Sequence, residues 1–155
     1  MRSRLSRDAT SVPEHIWTVL CGRSIVEVGT NKISLVDVVE RVTLPDREIL
    51  EVAEKKQITL GVPCTLASMF WREGPTREWQ YRLDLVLPNG TRNKQEPLRV
   101  SGVEEVGSNR VMVGFQGVTF GGLGTYYFEV RTRPDGGKRW KRVARVPLQV
   151  VLEEE

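Results

Sequence analysis

A catalytic nucleophile needs a base beside it, and the usual base is histidine. This chain has one histidine, His15, and two cysteines, Cys21 and Cys64. Cys64 with His15 is therefore a dyad that the residue types permit, yet nothing in their spacing brings them together. His15 stands where a polar N-terminal segment meets the first apolar run, the place of an exposed or packing side chain rather than of a base held in a triad. One histidine and two scattered cysteines do not make a zinc ligand set. No Asp-rich loop has the EF-hand spacing. Gly121-Gly122-Leu123-Gly124 leads into a strand and lacks the lysine of a phosphate-cradling loop. Asp37 and Arg41 would share a face of a regular strand, and a structural ion pair is the expectation there. The chemistry points to no enzyme, no cofactor and no metal.

Binding is better supplied. Arg131, Arg133, Lys138, Arg139, Lys141, Arg142 and Arg145 crowd the last hairpin, offset only by Glu129 and Asp135. Lys141 and Arg145 alternate with apolar neighbours, which predicts an exposed basic ribbon. Together with Arg2, Arg4 and Arg7 it could meet nucleic-acid phosphates, with Tyr127 and Trp140 for stacking. The plainer role of such charges is to protect an edge strand. A second cluster is aromatic: Met69, Phe70, Trp71, Trp79 and Trp140. Phe70 and Trp71 are adjacent, so a strand turns them to opposite faces. Tryptophan beside arginine favours a protein interface. The candidate partner contacts are Trp71, Arg72, Arg139, Trp140 and Arg142.

Positioning these side chains falls to strands. The 155 residues are 39% hydrophobic and 28% charged with a net charge of +3, ordinary for one globular domain. Residues 1–13 read as a flexible basic arm, 14–152 as a single domain and 153–155 as an acidic tail. Ile16 to Cys21 is too short to span a membrane, so a cytoplasmic protein is expected. Both cysteines lie in apolar segments and are read as buried reduced thiols.

Strands are expected over 16–28 and 33–44, joined by a turn at Gly29-Thr30-Asn31-Lys32. Residues 46–56 fit a helix capped by Asp46 or an irregular crossover. The few turns available favour the crossover. Further strands follow at 57–62 and 65–72. Trp79, Tyr81, Leu83, Leu85 and Leu87 alternate with Gln80, Arg82 and Asp84, which predicts one buried and one largely wet face. Turns at Pro88-Asn89-Gly90 and Pro134-Asp135-Gly136-Gly137 punctuate strands near 98–103, 111–115, 126–133 and 140–152. Val146, Leu148, Val150 and Leu152 share the inner face of the last. About eight short strands with almost no helix predict an all-β, antiparallel β-sandwich.

Gly124-x-Tyr126-x-Phe128 resembles the entry to the sixth strand of immunoglobulin-like sandwiches, and the likeness extends over roughly Val111 to Leu152. It implies a tyrosine hydroxyl folded back onto nearby backbone and a residue two later packed between sheets. Phe128 stands where many such domains carry cysteine, so packing replaces their disulfide. The whole chain also resembles small, functionally uncharacterised bacterial proteins through Cys21-Gly22-Arg23, Ser68-Met69-Phe70-Trp71-Arg72 and Arg145-Val146-Pro147-Leu148-Gln149-Val150. That likeness implies a sandwich and no activity.

The function expected is a non-enzymatic module that binds another protein, or a second copy of itself through an edge strand. The alternative is a nucleic-acid-associated accessory protein that uses the N-terminal arm and the basic hairpin.

Overall fold

Alternating apolar residues become paired strands throughout the computed structural model, which describes residues 12–154. In chain order the elements are β1 (Glu14–Val26), β2 (Ile33–Val38), β3 (Arg41–Leu44), α1 (Arg47–Lys55), β4 (Ile58–Leu60), β5 (Cys64–Arg72) and β6 (Trp79–Val86). Then come β7 (Arg92–Lys94), β8 (Leu98–Val100), β9 (Gly107–Phe115), β10 (Val118–Phe120), β11 (Gly124–Pro134) and β12 (Lys141–Leu152). One sheet has the order β2-β1-β5-β9. The larger has the order β3-β12-β11-β6-β7, with β8 also on β6, and β10 pairs with β4 in a small ribbon. The protein is all-β apart from α1, and its main sheet curls into a half-barrel.

The two sheets close on a core of alternating side chains. Leu20, Leu66 and Phe70 from one meet Trp79, Tyr81, Leu83, Tyr126, Phe128 and Val130 from the other, all at most 2% exposed. Phe70 packs edge-on against Trp79 at 4.8 Å between ring centres, a contact that adds about 0.5–1.5 kcal/mol beyond its area. At the entry to β11, Gly124 has φ +131, and a side chain there would lie 3.0 Å from Pro88. The Tyr126 hydroxyl donates to Gly122 O at 2.7 Å and accepts from Gly121 N at 3.0 Å. This is the folded-back tyrosine that the resemblance of this segment implies.

The observed elements depart from expectation at four places. Residues 33–44 are not one strand. Asp37 has φ 57, and the chain there leaves β2 in one sheet to enter β3 in the other. Asp37 and Arg41 thus fall on different strands, and no ion pair joins them among the described residues. β3 pairs with β12 in parallel, so the pairing is not antiparallel throughout. Residues 47–55 form a helix rather than a crossover. Asp46 Oδ1 accepts from Glu48 N at 2.8 Å, and Ala53, Ile49 and Leu50 pack on the core. That packing supplies what a helix of this length lacks alone. Finally, three-residue β7 and β10 are too short to carry a readable alternation.

Candidate functional site

At one end of the two sheets the start of β1, the end of β5 and the β11–β12 hairpin enclose an open cleft of about 760 Å³. That volume is within the usual range of ligand-binding clefts. Trp71, Arg139, Lys141 and Arg142 line it, together with His15, Glu14 and Glu73. Three of the sequence-predicted contacts, Trp71, Arg139 and Arg142, therefore converge. Trp71 is 37% exposed while Phe70 beside it is fully buried, as strand alternation requires. Its indole Nε1 donates to Glu73 Oε1 at 3.0 Å. Val12 and buried Pro13 also line the cleft. The rest of the expected arm, through Ser11, lies outside the described residues, as does Glu155 of the expected tail.

The other two predicted contacts go elsewhere. Arg72 is not a surface anchor: it is 8% exposed, donates from Nε to Glu105 O at 3.1 Å and also bonds Asn109 Oδ1. As the last residue of β5 it shares the inward-facing positions of Leu66 and Phe70, which is why it is covered. Trp140 is half-buried beneath two guanidiniums, those of Arg82 at 4.6 Å and Arg133 at 4.3 Å from the ring centre.

A bulge decides where the hairpin cations point. Val130 pairs with Ala144 but Arg131 pairs with Arg142, which leaves Val143 unpaired. Without the bulge, Arg142 and Arg145 would face opposite ways. With it, both join Glu129 on the outer face of the main sheet. Lys141 pairs instead with inward-facing Thr132 and lines the cleft. The ribbon expected from Lys141 and Arg145 is thus split between two faces.

That outer face carries what sequence reasoning missed. Asp84 is fully buried and Glu129 is 2% exposed, side by side in the β6–β11 register. Arg82 grips Asp84 with two bonds, at 2.8 and 3.0 Å. Arg92 bridges the pair, at 3.1 Å from Asp84 and 2.9 Å from Glu129. Arg131 lies 3.4 Å from Asp84 and 3.1 Å from Glu129, and Arg142 lies 3.3 Å from Glu129. The bond from Arg92, helped by those from Arg131 and Arg142, overcomes burial and pushes the Glu129 carboxyl down to about 2. The same bond raises Arg92. The face read as largely wet is therefore dry at its centre. The available signal was an aspartate and a glutamate inside strands, positions that disfavour them.

A polar relay crosses the core as well. His15 Nε2 lies 2.7 Å from Thr18 Oγ1, which lies 2.9 Å from Ser68 Oγ, itself 3.2 Å from the Tyr81 hydroxyl. Ser68 and Tyr81 are fully buried, so the relay satisfies an otherwise orphaned phenol. Burial pushes Tyr81 up to about 12 and lowers His15. His15 pairs with Phe70, six residues along β5 from Cys64 and so roughly 20 Å away, and no dyad forms. Cys21 and Cys64 are free and buried, and burial pushes both thiols up, away from the reactive thiolate. Among the described residues no cluster of three or more His, Cys, Asp or Glu is placed to hold a metal. No described helix is long and apolar enough to cross a membrane.

The chain matches no protein-family model and none of the curated proteins.

Proposed function

We propose that this protein is a non-enzymatic, immunoglobulin-like interaction module of the cytoplasm whose end cleft holds an acidic segment of another protein. The observation that carries the reading is the convergence of half-exposed Trp71 with Arg139, Lys141 and Arg142 on one open cleft. Tryptophan and arginine dominate the energetic centres of protein interfaces, because each covers much apolar area and still offers polar donors. Glu73 already engages the Trp71 indole, and a partner carboxylate can take its place. The cations set the sign of the partner, and the indole supplies the anchor.

Affinity capture from the host lysate, run with and without nuclease, tests this. The tagged wild-type protein recovers a discrete partner, and Trp71→Ala combined with Arg139→Gln loses it while keeping the same melting transition. Recovery that the double variant leaves intact, or that nuclease abolishes, rejects the cleft as a protein site.

A further inference from the structure

We infer that the outer face of the β6–β11–β12 sheet is a second docking surface, for single-stranded nucleic acid, with guanidiniums fixed in advance as phosphate clamps and base platforms. The face adjoins the cleft at Arg133 and Arg142, and the residues that set it apart, Arg82, Arg92, Lys94, Arg131 and Arg145, lie outside the cleft lining. Arg82, Arg92, Arg131 and Arg142 surround only two carboxylates, Asp84 and Glu129. Lys94 and Arg145 stand opposite those carboxylates in the register of β7 and β12, and neither is in an ion pair among the described residues. The face is therefore strongly positive.

It is also rigid. An arginine ordinarily loses rotamer freedom when it is fixed on a ligand. Here the loss precedes binding, since carboxylates hold four of the side chains and aromatic rings steady others. Arg145 lies 3.5 Å from the centre of the Tyr127 ring, and Arg133 lies over Trp140. Arg142 spends one terminal nitrogen on Glu129 and keeps further N–H donors for a phosphate. A guanidinium backed by an aromatic ring presents its other flat side to a base.

The choice of partner follows from what the face lacks. None of the exposed large hydrophobic side chains lies on it. Protein interfaces need an apolar, charge-depleted centre, and this surface has a charged one. A sheet face also offers no helix or protruding ribbon to a duplex groove. Phosphates with unstacked bases fit both conditions.

The test is fluorescence anisotropy of the full chain with labelled polyuridine of about 15 nucleotides, within the span such binders cover. Affinity should fall at least about tenfold between roughly 50 and 200 mM salt. Lys94→Gln with Arg145→Gln should flatten the slope of log K against log salt by about 1.4, at ~0.7 per lost phosphate contact. Neither residue belongs to the carboxylate lattice, so the fold is left in place. Arg139→Gln with Lys141→Gln, which changes the cleft alone, should leave the slope unchanged. Absence of binding at the lowest salt overturns the inference, and so does an equal loss in both double variants. Displacement of the RNA by polyglutamate or by duplex as readily as by unlabelled polyuridine overturns it too.

Discussion

The two faces of β6 and β11 are made by the same backbone and stabilised in opposite ways. Inward, Trp79, Tyr81 and Leu83 meet Tyr126, Phe128 and Val130 in an apolar layer from which water is excluded. Outward, the neighbouring residues Arg82, Asp84, Glu129 and Arg131 form a layer of charge, yet Asp84 is as thoroughly buried as Phe128. Arginine explains the similarity. Its long stem covers its neighbours while its planar head binds a carboxylate in two places. The difference lies in tolerance. An apolar layer that loses one side chain keeps its character and gains a cavity, whereas a lattice that loses one carboxylate leaves four guanidiniums around a single negative charge.

The largest test sets one face against the other. Phe128→Ala should cost about 3–5 kcal/mol through lost burial and a residual cavity. Asp84→Asn keeps shape and removes only charge, and it should cost a similar ~3–5 kcal/mol because Arg82 loses its one carboxylate while Arg92 and Arg131 are left to share Glu129. Urea denaturation measures both. A cost below about 1 kcal/mol for Asp84→Asn would return the outer face to the class of exposed ion pairs.

Acid should separate the faces next. Glu129 holds its proton less firmly folded, at about 2, than at its ordinary value of 4.5. The unfolded chain thus binds more protons in this range, and stability falls as pH drops from near 4.5 towards about 2. Above that window the contribution is fully present. Glu129→Gln should remove this part of the acid sensitivity, read from melting temperature across pH. An unchanged profile would show that the arginines do not set the titration.

The smallest effect belongs to the inner face. Tyr126→Phe keeps the ring and deletes two bonds to the backbone of Gly121 and Gly122, at a cost of about 1–2 kcal/mol. A larger cost would mean that the hydroxyl holds the whole turn before β11, and amide exchange at Gly121 would reveal it.

What was readable follows the range of the interactions. Positive φ at Gly29, Asn31, Gly90 and Gly136 marks turns placed by residue type alone. The buried faces of β6, β11 and β12 follow from period-two alternation, and the Tyr126 corner spans only five residues. The candidate contacts were less readable. Whether Arg72 or Arg142 reaches solvent depends on a strand end and on a bulge at Val143, and neither leaves a mark in residue types. Residues 46–56 leave helix and crossover open in the sequence, because the stability of α1 comes from the core it covers.

By itself the sequence determined the all-β class, the turns and the inward side chains, because local backbone preference and alternation act between near neighbours. Only the tertiary structure decided that Asp84 and Glu129 lie side by side under arginines drawn from β6, β7, β11 and β12. It also decided that Trp71, Arg139 and Arg142 share a cleft. Charges far apart in the chain become neighbours only through strand order and register, and those are set by the core rather than by the charges themselves.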